Sequence, residues 1–480
     1  MNIWAFLSIA TILRLILANL FPLTADESYY WLWAKHLSLS FVDHPPMVGL
    51  INYLTTFGTE NLFMLRMGVV IITLLVSLFI YLLANEIFNE KVAFWSVVLF
   101  QIIPHFVVVW LTMFVELPLV LFWTLSLYLL SRIIKYQHPT SIPACRQARL
   151  ASSPISLTWL LLGITIGLGY LSKYTMLSFW LYLAVFFILS PESRFWLKRK
   201  ELYLAFIISS FFLLPVLYWN YQHQWISFAF HSERVGGDPL GANTISFIAD
   251  QLVHFTPFLI FTLLPVLKYA LRKNTETKLL FSFSALPLLL FLALSLKMKV
   301  WAHWPSVGYI AAIPLTVDYL LENGKSLKKF ILWISLFASI ILLLLFWVSP
   351  GILLHQKDYA LNYQLKEKLP GIKIFARTNV SASLLEFYTR RPTYLATGFL
   401  KPVPLWGEKQ YELWGIPNLK KGEDVLYYGE NNPELHNKAL EHFNKITEMP
   451  ARRLALVEDY ITQNYKFFKL EKYKGGNSHP

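Results

Sequence analysis

Long apolar segments recur along this chain, and they constrain its fold more than any other feature. A helix needs about 20 mostly apolar residues to cross the hydrocarbon of a bilayer. Windows of this kind lie at roughly residues 3–22, 62–85, 92–110, 116–136, 156–172, 174–190, 202–220, 247–267, 279–296, 300–321 and 330–349. Hydrophobic residues make up 56% of the chain and charged residues only 15%, unlike an ordinary soluble domain. The sequence therefore predicts an all-α polytopic membrane protein with about eleven transmembrane helices.

The two ends of the chain differ from each other. Residues 1–22 lack a basic start and a small-residue cleavage site, so they are predicted to be the first span and not a cleaved signal. After Pro350, charged residues interleave with short apolar runs such as Ile372–Phe375 and Val425–Tyr428. This tail of about 130 residues is long enough to have its own core. We predict a membrane domain over 1–349 and a small α+β domain over 350–480. The single cysteine, Cys145, excludes an internal disulfide.

Basic residues are distributed unevenly between the loops. With the N-terminus in the cytoplasm, the cytoplasmic loops carry sixteen Lys and Arg residues and the outer loops carry five. The five are Lys35, Lys173, Arg234, Lys297 and Lys299. Because cytoplasmic loops of membrane proteins are enriched in Lys and Arg, this bias predicts the orientation. An odd number of spans then puts the C-terminal domain outside. The net charge of +13 is mostly this bias plus the tail, so it gives little support to nucleic-acid binding.

The first outer loop contains two adjacent acids at the start of an aromatic helix. Thr24 and Glu27 fit a capping box, with Asp26 in the first turn. A functional interpretation uses the same geometry, since a helix N-terminus keeps a carboxylate ionised and able to accept a proton from a hydroxyl. Both interpretations stay open from the residues alone. The helix is expected at the membrane interface because amphipathic aromatic side chains settle there. They are Tyr29, Tyr30, Trp31 and Trp33.

The same loop continues into the unusual sequence Asp43-His44-Pro45-Pro46. The two prolines stiffen the backbone and would present Asp43 and His44 in a fixed loop. A simple turn before a helix explains the sequence equally well.

Charged residues also occur within or beside the spans, where each costs about 2.5 kcal/mol or more at mid-bilayer. They are Arg14, Arg66, Glu116 and Lys173. Lys173 and Arg66 could extend to the interface, and Arg14 could form a buried ion pair. The alternative is a functional site, because Arg234, Lys297, Lys299 and His303 are predicted at the same outer level. Cations suit a phosphate group, and acids suit a nucleophile that loses a proton. There is no Walker loop, zinc or haem spacing, or dinucleotide fingerprint.

Taken in order, these motifs resemble the GT-C glycosyltransferases of the protein O-mannosyltransferase and aminoarabinose transferase superfamily. The resemblance covers most of residues 1–320, and it is greatest to the bacterial branch that modifies lipid A or lipopolysaccharide core. The motifs that carry it are Arg14, Asp26-Glu27 with the following tyrosines, Asp43-His44-Pro45-Pro46, Glu116-Leu117-Pro118, Leu171-Ser172-Lys173-Tyr174-Thr175, the 219–230 loop with Arg234, and the 297–305 block.

The resemblance implies a GT-C fold with juxtamembrane helices on the outer side. It also implies a polyprenyl-phosphate-linked sugar donor, used at the periplasmic face with inversion at the sugar carbon. Asp26 falls on the family's catalytic carboxylate, and Glu116 falls where relatives commonly carry an aspartate. The catalytic candidates are Asp26, Glu27 and Glu116. The candidates for binding donor phosphate or acceptor are Arg14, Tyr30, Asp43, His44, Lys173, Tyr174, Asn220, His223, Arg234, Lys297, Lys299 and His303.

The expected protein is a multi-pass glycosyltransferase of the bacterial inner membrane. Its expected acceptor is lipid A, lipopolysaccharide core or another envelope component, with no nucleic-acid partner. No cofactor is required by the sequence, and a divalent cation remains an option because relatives differ on metal. One alternative is a protein O-mannosyltransferase-like enzyme. The other is a carrier or flippase for a lipid-linked sugar, although the repeated halves typical of transporters are not evident.

Overall fold

The computed structural model describes residues 2–20, 23–136, 154–233, 239–348, 371–400, 407–449 and 465–475. Contacts divide the chain into two compact units. Unit 1 contains 1–17, 44–48 and 67–345, and unit 2 contains 18–43, 49–66 and 346–480.

Up to residue 348 the described chain is helical. The helices are α1 (Ile3–Leu20), α2 (Ala25–Lys35), α3 (Met47–Thr56), α4 (Leu62–Ile87), α5 (Glu90–Ile102), α6 (Pro104–Val108), α7 (Glu116–Tyr136), α8 (Pro154–Tyr170), α9 (Ser178–Leu189), α10 (Lys200–Phe211), α11 (Leu214–Gln222), α12 (Ile226–Glu233), α13 (Thr244–Phe255), α14 (Pro257–Lys273), α15 (Thr275–Leu294), α16 (Ser306–Glu322) and α17 (Leu327–Val348).

Four helical segments in the described part of the chain are long and apolar enough to cross a membrane. They are Leu62–Ile87, Glu116–Lys135, Lys200–Gln222 and Thr275–Leu294. A fifth candidate is the pair α13 and α14, which together pass the same test but are bent by 99°. The predicted helical membrane domain is therefore confirmed, whereas the count of eleven spans stays a prediction.

Three predicted spans are interrupted beside prolines. The 92–110 segment breaks between α5 and α6, where Ile103 is extended before Pro104. The 247–267 segment bends at Thr256, whose φ is +68° and which is followed by Pro257. The helix predicted from residue 300 begins only at Ser306, after Pro305. Proline lacks a backbone N–H and disfavours the helical conformation of the residue before it, so the helix ends there. Hydropathy averaged over a window does not detect such a break.

Small residues allow close helix packing within unit 1. A Cβ at Gly163 on α8 would lie 2.8 Å from the carbonyl oxygen of Ala205 on α10. A Cβ at Gly167 would lie 2.3 Å from the ring of Phe212. Close approach at small residues is the usual way in which membrane helices associate.

Unit 2 contains a five-stranded mixed sheet. The strands are β1 (Lys373–Ala376), β2 (Thr393–Leu395), β3 (Val425–Glu430), β4 (Phe443–Glu448) and β5 (Tyr465–Tyr473), in the order β2-β1-β3-β5-β4. Strand β1 is parallel to β2 and β3, and β5 is antiparallel to β3 and β4. The helices are α18 (Asn379–Thr389), α19 (Glu408–Trp414) and α20 (Pro433–His442). The predicted small α+β region after residue 350 is thus confirmed.

Unit 2 also includes helix α2, which packs along α18. The hydroxyl oxygens of Ser28 and Ser383 are 2.7 Å apart. Lys35 donates to Glu386 at 2.8 Å at the other end of the contact. Contacts therefore group the first loop helix with the C-terminal domain, while the domain boundary between residues 349 and 350 stays a prediction.

Candidate functional site

Three turns of unit 1 bring Glu116, Lys173 and His303 together. Glu116 is the first residue of α7, Lys173 follows α8, and His303 precedes α16. The Lys173 ammonium group donates to Glu116 Oε1, and His303 Nε2 lies 3.3 Å from the same oxygen. Lys173 also lies 5.4 Å from the ring centroid of Trp304. The structure therefore joins three of the residues that the sequence indicated separately.

Local backbone geometry directs Lys173 into this cluster. The backbone N–H groups of Ser172 and Lys173 both donate to the carbonyl oxygen of Gly169, which ends α8 in a tight turn. A Cβ at Gly169 would lie 2.6 Å from the side chain of Met176, so a larger residue would displace Met176. Lys173 is then extended and precedes a short 3-10 helix over Tyr174–Leu177.

The cluster is largely withdrawn from solvent. Glu116 is 1% exposed and Lys173 is 8% exposed, so their interaction is little screened by water. Burial lowers the pKa of His303 to about 4, although the charge of Glu116 acts in the opposite direction. A pKa of about 4 leaves the His303 ring neutral at pH 7, so Lys173 is the cation of this cluster. Glu116 Oε2 is buried without a hydrogen-bond partner among the described residues, so a substrate group could bind it.

A histidine pair in unit 1 was missed by the sequence analysis. His105 is buried, and its Nδ1 lies 3.3 Å from Nδ1 of His254. His105 lies in α6, and His254 is the last residue but one of α13. An isolated histidine in an apolar segment is most often a packed core residue, so neither one carried a signal in the sequence.

A second set of predicted residues meets around His231, which the sequence analysis also missed. The ring of His231 lies 6.1 Å from that of His44 and 5.5 Å from that of Tyr174. Tyr174 stacks on Phe228 at 6.1 Å. The 44–46 segment and the turn at 171–175 are joined further by a hydrogen bond from Met47 N to Leu171 O of 2.9 Å. Motifs far apart in sequence therefore converge here.

In unit 2, Glu27 forms a fully buried ion pair with Arg66. Arg66 donates from Nε to Glu27 Oε1 at 3.1 Å and from Nη2 to Oε2 at 2.9 Å. Both side chains have 0% exposure, so the interpretation of Arg66 as a residue that extends to the interface is wrong. The predicted capping box of Thr24 and Glu27 is confirmed. Glu27 is therefore engaged by Arg66 and Thr24, and the catalytic roles of Glu27 and of the half-buried Asp26 stay predictions.

Asp43 is also engaged within unit 2. Tyr29 donates its hydroxyl to Asp43 Oδ2 at 2.5 Å, which ties Asp43 to helix α2. Burial raises the pKa of Tyr29 well above its usual value, and the Asp43 carboxylate raises it further. Tyr30 is buried and packs on the ring of Trp33 at 4.9 Å. Binding roles for Tyr30 and Asp43 stay predictions.

Three more of the predicted binding residues contact other parts of unit 1. They are Arg14, Asn220 and His223. Arg14 donates to the carbonyl oxygen of Trp110 at 2.8 Å and to Gln101 at 3.0 Å, so the buried ion pair considered for it is wrong within the described chain. Asn220 donates to Val216 O and accepts from Ser227 N, which holds the turn between α11 and α12. His223 stacks on Trp219 at 4.1 Å. Their substrate-binding roles stay predictions.

The remaining predicted cations are exposed or undescribed. Lys297 and Lys299 are exposed, and Lys299 lies 4.1 Å from the ring centroid of Trp301. Arg234 lies outside the described residues. Within the described ranges, no three His, Cys, Asp or Glu side chains are grouped so as to hold a metal ion. The divalent cation stays a prediction.

Known proteins resemble this chain in sequence and in fold. Residues 43–145 and 148–219 match a family model described as dolichyl-phosphate-mannose-protein mannosyltransferase. The chain is 23% identical over 329 residues to the lipid A galacturonosyltransferase RgtD of Rhizobium johnstonii, a match that spans 66% of this chain and 65% of the relative. ArnT of Cupriavidus metallidurans, solved with bound undecaprenyl phosphate, has a TM-score of 0.66 at 14% identity, with 97% of each chain covered. The chain has the GT-C fold.

A more distant structure shares the GT-C fold. The oligosaccharyltransferase of Archaeoglobus fulgidus, in its apo form, has a TM-score of 0.55 at 12% identity. The alignment covers 91% of this GT-C chain and 71% of the archaeal one. The fold expected from the sequence motifs is thus confirmed over nearly the whole chain by ArnT.

Proposed function

We propose that this GT-C protein transfers a single sugar from a polyprenyl phosphate carrier to lipid A, at the periplasmic face of the bacterial inner membrane. The observation that carries the proposal is the buried Glu116–Lys173–His303 cluster, built from motifs of the superfamily. Support also comes from the shared fold with ArnT, whose structure holds undecaprenyl phosphate, and from the likeness to a lipid A galacturonosyltransferase.

The proposed reaction is a single displacement. An acceptor oxygen attacks the sugar's anomeric carbon, and the bond from that carbon to the phosphate oxygen breaks on the opposite face. The electron pair leaves with the polyprenyl phosphate, so the sugar carbon is inverted. Lys173 supplies positive charge for the departing phosphate, and exposed Lys297 and Lys299 are further candidates. A preorganised cation in a site that excludes water stabilises such developing charge strongly.

The acceptor decides whether a base is needed. A hydroxyl acceptor must lose its proton, and a carboxylate within hydrogen-bond reach is a suitable base. The two candidates are Glu116, whose Oε2 is buried without a hydrogen-bond partner in the described chain, and Asp26 in the first turn of α2. A phosphate acceptor is already ionised and needs no base. In that case the acids orient the substrates.

The test is mass spectrometry of lipid A from a strain that lacks the gene. We expect the loss of one sugar, restored by the wild-type gene and not by Lys173→Gln. The matched control is Lys438→Gln, which removes the same charge from an exposed side chain on α20. Product from purified protein, analysed by NMR, should have the anomeric configuration opposite to that of the donor.

Other results would contradict the proposal in distinguishable ways. Unchanged lipid A with loss of sugar from envelope proteins would indicate a protein mannosyltransferase. Unchanged lipid A with sugar donor accumulating in the cytoplasmic leaflet would indicate a carrier.

A further inference from the structure

The order in which strands are added to the sheet of unit 2 reverses at β1. From β1 the chain passes through α18 to β2 on one side, and it later returns to form β3 on the other side of β1. All three strands are parallel, so their carboxyl ends lie at one edge. In open sheets of this kind, the crevice at such a reversal is where ligands bind. Here that crevice lies between the ends of β1 and β3.

Buried polar atoms without partners concentrate at this edge. Within the described chain they include Nε and Nη1 of Arg377, both amide atoms of Asn379, and the hydroxyl of Tyr427. Asn379 is 1% exposed and Tyr427 is 2% exposed. Most buried polar side-chain atoms in folded proteins have a hydrogen-bond partner, and leaving one without a partner is destabilising. Three such residues at one edge point to a missing ligand.

Arg377 lies beside β3, and Asn379 follows it by two residues. Arg377 directly follows β1, and its backbone N–H donates to Tyr428 O on β3 at 2.9 Å. In the register of β1 and β3, Phe375 pairs with Tyr427, two residues before Arg377. Burial raises the pKa of Tyr427, the charge of Arg377 opposes that shift, and the charge of Glu430 adds to it. Asn379 is the first residue of α18, where the helix N-terminus adds a positive potential.

Two glycines keep the backbone close to these atoms. A Cβ at Gly429 would lie 2.1 Å from the Tyr427 hydroxyl. A Cβ at Gly407 would lie 2.4 Å from Asn379 Nδ2. Burial and the charge of Glu412 raise the pKa of Glu408, with Lys409 and Arg377 acting in the opposite direction. No ion pair joins Glu408 to Arg377 in the described structure. The guanidinium group is therefore available to an external anion.

We propose that this crevice binds a phosphate group, either free or on the head group of a phosphorylated glycolipid. The guanidinium, amide and phenol groups are all donors, and a tetrahedral oxyanion can accept from all three. The site lies in a different unit from the Glu116–Lys173 cluster and goes beyond the proposed transfer reaction.

The test is thermal unfolding of the full-length protein in detergent, with inorganic phosphate, with lipid A, and with dephosphorylated lipid A. A ligand that binds only the folded state raises the melting temperature. We expect equal shifts in the wild type and in Lys438→Gln and a smaller shift in Arg377→Gln, whose affinity at this crevice should fall about ten-fold or more because a charge-assisted bond is lost. Lipid A bound as acceptor at the Glu116–Lys173 cluster would account for the shift that is left. Without ligand, Arg377→Gln should melt no lower than wild type, since no described side-chain hydrogen bond is removed. Tyr427→Phe is a second variant, expected to weaken binding with the fold intact.

A shift with inorganic phosphate assigns the site to phosphate itself, and a shift with lipid A alone assigns it to the glycolipid head group. No shift with any ligand, or an equal shift in wild type and Arg377→Gln, would overturn the proposal. Lys173→Gln should retain the Arg377-dependent shift, so that failure of the transferase proposal would leave this result in place.

Discussion

Lys173 and Glu116 form a pair whose members cannot be changed independently. Both are nearly fully buried, so removing one leaves the other as an unpaired charge. A loss of activity in a single variant would therefore combine a binding effect with a folding effect. Only a comparison of single and double variants separates the two.

We expect Lys173→Ala to lower the free energy of unfolding by about 3–5 kcal/mol, because it leaves the Glu116 carboxylate buried without its cation. The double variant Lys173→Ala with Glu116→Ala should recover much of that stability. Donor binding should not recover, since the phosphate would still lack the ammonium group. Melting temperature and binding of polyprenyl phosphate to the purified variants measure the two quantities. Recovery of donor binding in the double variant would show that Lys173 does not contact the phosphate.

At the scale of elements, helix α2 shows what a local pattern can and cannot predict. Thr24 and Glu27 are three residues apart, and the capping box between them follows from that spacing. Arg66, the stronger partner of Glu27, is 39 residues away and belongs to α4, so no spacing rule could pair them. The contact of α2 with α18 joins residues more than 350 positions apart, and only the tertiary fold brings them together.

The same helix gives a test that separates structure from catalysis. Glu27→Gln should reduce the free energy of unfolding by about 3–5 kcal/mol, because the charge of Arg66 loses its buried counter-ion. Asp26→Asn should cost only about 1 kcal/mol, as for a change in the first turn. If the acceptor is a hydroxyl and Asp26 is the base, its variant should lose about 10²–10⁴ in turnover. Melting curves and turnover of both variants distinguish a structural role from a catalytic role for each acid. A stable but inactive Glu27→Gln beside an active Asp26→Asn would reverse the assignment.

At the scale of the whole molecule, hydropathy and motif order predicted the membrane fold and several members of the cluster in unit 1. The mixture of charged residues and short apolar runs after Pro350 predicted the small α+β region. Two of those runs, Ile372–Phe375 and Val425–Tyr428, overlap β1 and β3. The order of the strands and the crevice at Arg377 were not predictable, because they depend on which strand returns beside β1. The helix breaks at Ile103 and Thr256 were also missed, because hydropathy averages over the prolines that cause them.

Orientation in the membrane is the last prediction, and it rests on the uneven distribution of Lys and Arg. We expect residues 140 and 325 in the cytoplasm and residues 230 and 420 outside, since moving the basic loops across the membrane is opposed. Replacing the single cysteine, Cys145, with serine gives a background for labelling. Single cysteines at Leu240, which is 77% exposed and follows the 226–233 helix, and at Lys420 should react with a membrane-impermeant maleimide added to intact spheroplasts. A cysteine at Lys325 should react only after lysis. Labelling of the 325 position before lysis, with protection of the 420 position, would invert the orientation and move the proposed reaction to the cytoplasmic face.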